Sequence, residues 1–266
     1  MYGCSPQGMT TANVAGLLRG TDSLLSKEVV IITAHFDHLG IVQPVNGDSI
    51  DNGAVDNASG VSMVLSVAEG FTHLLLKPKR SVLFLLVGGE EAGTLGSEYY
   101  AAHPTFPAGK IAADINIDGV NMYGETRDLS MIGKGRSTID ESVNEAAKVC
   151  GLVVTPDQFP EQGMFYRSDQ FSFAAIGVPT AYFDTGTDFV GKPADWGTKM
   201  AEEYNSNDYH QPSDEIRSDW TYEGTMQQAK FYFHLLYLVA NKPAMPRWNK
   251  GDEFEANRLR ALGERK

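Results

Sequence analysis

Short apolar runs rich in β-branched residues alternate along this chain with longer stretches of helical periodicity. Strands are predicted at residues 29–33, 82–87, 113–117, 129–132, 152–155 and 180–183. The first two runs are almost continuously apolar, as expected of central strands that are covered on both faces. Strands that alternate with helices predict an α/β fold, a three-layer α/β/α sandwich around a mixed, mostly parallel sheet.

The helical stretches have readable ends. Apolar positions share one face in residues 58–71, and a last long helix is predicted at 221–240. Ser137 is a candidate N-cap for a helix that ends at Gly151, and Ser168 with Asp169 is a candidate cap for a short helix to Ala175. Residues 184–211 are polar and rich in Gly, Asp and Asn, which predicts a long loop over the functional site.

Size and composition indicate an ordinary globular protein. The chain has 266 residues, of which 42% are hydrophobic and 21% charged. We expect one domain over residues 1–266, with 1–13 and 244–266 as peripheral tails that dock on the surface or fray. The formal net charge of −12 disfavours nucleic acid as a partner, because phosphates require neutralisation by Lys and Arg.

Neither the cysteines nor the apolar runs settle the compartment. Cys4 and Cys150 form no CxxC pair, so a cysteine zinc site is excluded; one bridge and two free thiols both remain open. No apolar run reaches the roughly 18–20 residues of a membrane span. The first residues lack the basic and apolar regions of a signal peptide, and we expect a processed or truncated product.

Potential metal ligands follow the predicted strands. His35 closes the first strand, Glu90 and Glu91 follow the second, and Asp118 follows the third. An open α/β sheet collects its functional groups at the carboxyl ends of its strands, so these side chains are expected to converge. With Asp56 and His210 the set comprises two histidines and three carboxylates besides Glu90. Such a set suits two divalent metal ions, which makes hydrolysis the first hypothesis.

Each residue of this set also has an ordinary structural interpretation. Asp56 can cap the following helix, Asp118 can form a turn, and a histidine in a loop, such as His210, is more often exposed than a ligand. Glu90 and Glu91 are the sharpest signal, because two adjacent carboxylates at a sheet end repel each other unless a cation compensates. Glu91 could bind a metal while Glu90 takes a proton from water.

Taken together, the motifs are far more specific than any one of them. In order and spacing they resemble the co-catalytic zinc aminopeptidases of peptidase family M28, from about residue 14 to residue 240. The segments that carry the resemblance are Ala34-His35-Phe36-Asp37-His38, Val55-Asp56-Asn57-Ala58-Ser59-Gly60, Gly89-Glu90-Glu91, Asn116-Ile117-Asp118, Tyr166-Arg167-Ser168-Asp169-Gln170 and Tyr209-His210.

The resemblance implies a role for each matching residue. Asp56 would bridge two zinc ions, His35 and Asp118 would complete the ligands of one ion, and Glu91 and His210 those of the other. Glu90 would be the general base and later the acid, with Asp37 behind His35.

The resemblance also implies a peptide substrate with a free N-terminus and an exported, periplasmic or extracellular protein. Other divalent ions could replace zinc, because nitrogen and oxygen ligands suit several metals.

Several alternatives stay open at this point. A glutaminyl cyclase-like acyltransferase shares the implied fold but uses one zinc ion, and a carboxypeptidase or a non-catalytic binding module is also possible. Tyr166 and Arg167 are both candidates for the oxyanion donor. Four histidines match no ligand position and are interpreted as surface or core residues: His38, His73, His103 and His234.

Overall fold

A computed structural model describes residues 10–264 of the chain. The strands are β1 (Val14–Leu18), β2 (Val29–His35), β3 (Gly40–Val45), β4 (Asp48–Asp51), β5 (Ser81–Val87), β6 (Ile111–Asn116), β7 (Asp128–Ile132), β8 (Val153–Pro156) and β9 (Thr180–Thr185). The helices are α1 (Gly60–Thr72), α2 (Leu95–Ala102), α3 (Ile139–Val149), α4 (Gln170–Ala175), α5 (Trp196–Asn207), α6 (Glu223–Asn241) and α7 (Glu255–Ala261). Short helical turns lie at Leu25–Lys27, Ala54–Ser59, Ala108–Lys110, Pro160–Gln162 and Met164–Tyr166.

Seven strands form one mixed sheet in the order β1-β5-β2-β6-β9-β7-β8. The four neighbours β5, β2, β6 and β9 run parallel, while β1 joins β5 and β7 joins β9 in antiparallel fashion. The carboxyl ends of the four parallel strands therefore meet along one edge. The segments that follow β2, β5 and β6 start next to one another there.

Successive side chains of β2 pack against helices on opposite faces of the sheet. Val30 and Ile32 pack into the apolar cluster that includes side chains of α1, α3 and α6. Val29 and Ile31 pack into a second cluster that includes Tyr100 of α2 and Phe173 of α4. Successive strand residues point to opposite faces, so one strand supplies both cores. The predicted three-layer α/β/α arrangement with a mostly parallel sheet is confirmed.

All six predicted strands are present, with ends that differ by one to a few residues. The pattern missed β1 and the β3–β4 hairpin, which lie outside the six predicted strands. β1 is a short, largely exposed edge strand, and its apolar run of five residues contains Gly16, which weakens a strand pattern. The hairpin turns at Asn46 and Gly47, which have φ angles of 52° and 91°. Asn-Gly is the preferred sequence for such a two-residue turn.

The predicted long loop at 184–211 is wrong in its second half, because α5 occupies Trp196–Asn207. This helix buries only Gly197, so its sequence has no apolar stripe to reveal it. The interpretation of Ser168 and Asp169 as helix caps is also wrong. Neither side chain caps α4, and the Ser168 hydroxyl donates instead to Asp118 Oδ2 at 2.7 Å.

The segment after Pro243 is not a peripheral tail. Trp248, Phe254 and Arg258 are buried, and α7 lies within this segment. The Arg258 guanidinium donates to the backbone carbonyls of Ala108 and Ile111 and so ties α7 to the start of β6. Residues 244–264 therefore complete the core on that side of the sheet.

The helices of residues 10–264 are all too short or too polar to cross a bilayer. Cys4 lies outside the described residues, and Cys150 is half-buried.

Candidate metal centre

All five predicted ligands lie together at the carboxyl edge of the parallel strands. His35 is the last residue of β2, Glu91 follows β5, and Asp118 follows β6. Asp56 comes from the helical turn before α1, and His210 comes from the loop after α5. The sheet order makes β2 the neighbour of both β5 and β6, which is why ligands more than 80 residues apart in sequence meet.

The first group consists of His35, Asp56 and Asp118. His35 Nε2 lies 3.2 Å from Asp56 Oδ1 and 3.1 Å from Asp118 Oδ1. Its other nitrogen, Nδ1, lies 3.1 Å from the backbone carbonyl oxygen of Asp37, which can accept a hydrogen bond from it. A proton held on Nδ1 in this way leaves Nε2 free to bind a metal ion.

The second group uses the other oxygen of Asp56. His210 Nε2 lies 3.4 Å from Asp56 Oδ2 and 3.3 Å from Glu91 Oε2. The His210 ring stacks on Tyr209, with the two ring centroids 3.9 Å apart. His210 has a positive φ of 56°, so the backbone turns sharply where the loop presents this ring to the carboxylates.

The ligand atoms of His35, Asp56 and Asp118 lie close enough together to hold one metal ion, and so do those of His38, Asp56 and Glu91. The distances from His210 to Asp56 and Glu91 also match the spacing around a zinc ion. With metal–ligand bonds of about 2.0–2.2 Å, the ligand atoms of one tetrahedral zinc ion lie roughly 3.3–3.6 Å apart. The separations in both groups, from 3.1 to 3.4 Å, are at or slightly below that spacing. Asp56 directs one oxygen to each group, as a carboxylate that bridges two ions would.

The electrostatics of the first group also favour a bound cation. Burial alone lowers the pKa of His35, but hydrogen bonds to Asp118 and Asp56 and their charges outweigh it and raise the pKa to about 12. The same carboxylates would attract a divalent ion to Nε2.

Glu90 and Glu91 differ in their surroundings. Burial raises the pKa of Glu90 to about 8, and the charge of Asp118 adds to the increase. Burial also acts to raise the pKa of Glu91, but contacts with His38 and His210 outweigh it and lower the pKa. Within residues 10–264 the Glu90 carboxylate accepts no hydrogen bond and forms no ion pair, whereas that of Glu91 faces both histidines.

Two further aspartates hold the loops that carry the candidate ligands. The Asp37 carboxylate accepts hydrogen bonds from the backbone N–H groups of Glu90 and Glu91, at 3.1 and 3.2 Å. Asp37 therefore contacts His35 mainly through its backbone and the glutamates through its side chain. Asp214 accepts hydrogen bonds from the backbone N–H groups of Val55 and Asp56, which fixes the turn that presents Asp56.

His38 belongs to this centre, contrary to its interpretation as an unrelated surface or core histidine. Its Nδ1 lies 2.7 Å from Glu91 Oε1 and its Nε2 lies 2.9 Å from Asp51 Oδ1. The sequence places His38 one residue after the H-x-D segment, but nothing in the pattern pairs it with Asp51 or Glu91. The interpretation of His73 and His103 as surface residues agrees with their exposure.

A cavity of about 460 Å³ is lined by four of the five candidate ligands, Asp56, Glu91, Asp118 and His210. Beyond Glu90 and Glu91 its wall includes apolar side chains, among them Met122, Phe159 and Met164. Of the two candidate oxyanion donors, Arg167 lines the cavity. The Tyr166 hydroxyl instead donates to Glu253 at 2.7 Å, which directs that side chain toward the C-terminal segment.

Comparison with known proteins identifies relatives of this chain. The chain matches the model of Peptidase family M28 over residues 13–234. Leupeptin-inactivating enzyme 1 of Streptomyces exfoliatus is 27% identical over 175 residues, which are 64% of this chain and 38% of that protein. A probable leucine aminopeptidase 2 of Aspergillus oryzae is 25% identical over an alignment 275 residues long, gaps included, which covers 97% of this chain and 51% of that protein.

Solved structures share the fold. A zinc aminopeptidase from Bacillus subtilis superimposes with a TM-score of 0.65 at 24% identity, and the match covers 87% of this chain and 51% of that chain. At this level of identity the similarity concerns the fold. This chain spans about half or less of the length of each of these three proteins.

Proposed function

This chain belongs to peptidase family M28, and we propose that it is a two-metal aminopeptidase that removes N-terminal residues from peptides. The observation that carries the proposal is the position of Asp56 between two sets of ligand atoms, with Oδ1 toward His35 and Oδ2 toward His210. His35, Asp56 and Asp118 would hold one zinc ion, and Asp56, Glu91 and His210 the other.

The surrounding residues support hydrolysis. Two zinc ions would supply activation of a water molecule and polarisation of the scissile carbonyl group. Glu90 lines the cavity, and its carboxylate is not engaged by other described side chains, so it can take the proton of the attacking water. Its raised pKa matches a group that holds that proton and then gives it to the departing amine. Arg167 is the better candidate for contact with the carbonyl oxygen, because it lines the cavity.

The ligand geometry favours a two-metal peptidase over two of the alternatives, the acyltransferase and the non-catalytic binding module. A glutaminyl cyclase-like acyltransferase would use one zinc ion, whereas both groups of ligand atoms here have spacings that fit an ion. A non-catalytic binding module would not need a carboxylate free to act as a base beside both groups.

The test combines metal content with a panel of substrates. We expect about two zinc ions per chain and cleavage of Leu-p-nitroanilide, with loss of activity in a zinc chelator and recovery on adding zinc. N-acetyl-Leu-p-nitroanilide should resist cleavage, because its amine is blocked. A peptide with a free N-terminus and an amidated C-terminus should be cleaved from its N-terminal end.

Different outcomes would identify the alternatives. One zinc ion per chain together with cyclisation of a Gln-peptide would indicate the acyltransferase, and release of C-terminal residues only would indicate a carboxypeptidase. Full metal loading without turnover across a panel of aminoacyl-p-nitroanilides and peptides would contradict the proposed peptidase.

A further inference from the structure

His38 is enclosed by the segments that carry three of the candidate ligands. Its side chain is only 8% exposed, and its two ring nitrogens face carboxylate oxygens of Glu91 and Asp51, at 2.7 and 2.9 Å. His38 Nδ1 and Glu91 Oε1 are both buried and form no hydrogen bond with the described residues, so their 2.7 Å ion-pair contact is the polar contact left to each. Each of these two atoms therefore depends on the other for electrostatic compensation.

The ring of His38 also contacts the segments that carry His210 and Asp56. It lies edge-on to the His210 ring, with the centroids 5.7 Å apart. It packs on Gly53, three residues before Asp56, so closely that a Cβ atom at Gly53 would lie 2.6 Å from the ring. One side chain thus touches the Glu91 loop, the Asp56 turn and the His210 loop.

His38 lies close enough to Asp56 and Glu91 to be counted as a possible ligand, but its contact with Glu91 is too short for two ligands of one zinc ion. Two ligand atoms of one zinc ion lie roughly 3.3–3.6 Å apart, and the 2.7 Å between His38 Nδ1 and Glu91 Oε1 is that of a direct polar contact. His38 faces Oε1, whereas His210 faces Oε2 of the same carboxylate. His38 therefore sits behind Glu91 and occupies the oxygen that points away from the second metal position.

We infer that His38 is a positioning residue, which rests on the proposed two-metal function. It holds the Glu91 carboxylate so that Oε2 points toward His210, and Asp51 in turn fixes the orientation of the His38 ring. Its polar contacts reach Glu91 but neither His35 nor Asp118, so we expect its effect to be largest at the Glu91–His210 position. Loss of a side chain that orients a metal ligand from outside typically weakens metal binding by about 10–100-fold.

The test measures metal affinity, position by position, in the full chain. Zinc is titrated out of His38→Ala with a chelator of known affinity, and the remaining ions per chain are counted. We expect one ion to leave at about 10–100-fold lower free chelator than in the unaltered protein, while the other keeps its affinity. His103→Ala, at an exposed histidine, is the matched control and should retain both affinities.

Two conservative variants separate positioning from simple packing. The amide nitrogen of Asn can occupy the place of Nδ1, and that of Gln the place of Nε2. His38→Asn should therefore recover most of the affinity at the weakened position, whereas His38→Gln should behave like the alanine variant. If alanine prevents folding, this pair of variants still gives the answer, because they differ only in which carboxylate they reach.

The failure of this inference can be told apart from the failure of the proposed function. Equal affinities of all three His38 variants and the unaltered protein would overturn the positioning role, whatever the peptidase activity. Two ions retained in His210→Ala but only one in saturated His38→Ala would show that His38 is itself the ligand, which also overturns it. A protein that binds two ions with the expected His38 effects yet cleaves no peptide would refute the peptidase alone.

Discussion

Glu90 and Glu91 are adjacent residues with opposite pKa shifts, and this difference agrees with the separate roles proposed for them. Burial beside Asp118 raises the pKa of Glu90, whereas the contacts of Glu91 with His38 and His210 lower its pKa. A carboxylate that stays ionised next to two histidines suits metal binding, and one that holds a proton near neutral pH suits proton transfer. The two backbone N–H groups share one acceptor, Asp37, so the two side chains start from a fixed turn.

The replacement Glu90→Gln tests this division of labour. The amide keeps the size of the side chain but cannot take a proton, so we expect kcat to fall by about 10²–10⁴-fold with zinc content unchanged. The measurement is hydrolysis of Leu-p-nitroanilide together with zinc analysis. Glu98→Gln, an exposed replacement on α2, serves as the control. Unchanged turnover in Glu90→Gln would exclude Glu90 as the base.

The buried side chain of Asp114 is expected to make the stability of the protein depend on pH. It is completely buried in β6, and burial raises its pKa well above the usual value despite a hydrogen bond from Thr33. The folded protein therefore binds this proton more tightly than the unfolded chain does. The contribution of Asp114 is fully present below its unfolded pKa and is lost as pH rises through the folded pKa.

Asn cannot ionise, so Asp114→Asn does not lose stability as pH rises. The Tm of the variant relative to the unaltered protein should therefore rise with pH above about pH 4. Each unit of the pKa shift corresponds to about 1.4 kcal/mol of unfolding free energy at high pH. Thermal unfolding of both proteins between about pH 5 and pH 8 measures the difference. Glu202→Gln, exposed on α5, should show no such trend. A difference in Tm that stays constant with pH would contradict the assigned role of Asp114.

At the scale of elements, the turn before α1 depends on Gly53. This residue has a positive φ of 63°, and a Cβ atom there would collide with the Asp56 carbonyl oxygen and the His38 ring. We expect Gly53→Ala to lower both Tm and zinc content, because the turn that presents Asp56 has to shift. Gly40→Ala is the matched control, since φ is 70° but no atom lies within 4 Å of the added Cβ.

The control should show only the cost of a left-handed alanine, about 1–2 kcal/mol, with two ions still bound. If both variants lost the same stability and kept the same zinc content, the close packing of His38 and Asp56 on Gly53 would not be needed for metal binding.

The elements also show what the sequence can and cannot reveal. His35, Glu91 and Asp118 were predictable as neighbours because each follows an apolar strand, and parallel strands align their ends. The β3–β4 hairpin was predictable in principle from Asn46-Gly47. Helix α5 was not, because a helix that buries one glycine leaves no periodic pattern.

Polar partners were the hardest part to predict. The Ser168 hydroxyl reaches Asp118 rather than the helix end that its position suggests. Asp214 lies only four residues after His210 in sequence, but its partner is the backbone of Asp56, 158 residues away. Contacts of this kind depend on how the loops meet in the folded chain, so local sequence patterns do not predict them.

For the whole molecule, the concentration of acidic groups at one sheet edge predicts that metal and folding are coupled. The chain carries a formal net charge of −12, and the carboxylates of Asp56, Glu90, Glu91 and Asp118 all line one cavity. Bringing these groups together costs electrostatic free energy, which a pair of divalent cations would offset. Ions that bind only the folded chain stabilise it by mass action, by about 4 kcal/mol at a thousandfold excess over Kd.

Removal of the metals should therefore lower Tm substantially. For a chain of this size, 4 kcal/mol corresponds to a shift of roughly 8–16 °C, measured by thermal unfolding in zinc and then in dipicolinate. Zinc added back should restore the original Tm, and the double variant His35→Ala, His210→Ala should respond to neither treatment. The ions would couple the ends of β2, β5 and β6 to the turn before α1 and the loop after α5. A Tm that is the same with zinc and with chelator would mean that the clustered carboxylates do not need bound cations for stability. The charge at the sheet edge would then give no support to a pair of metal ions.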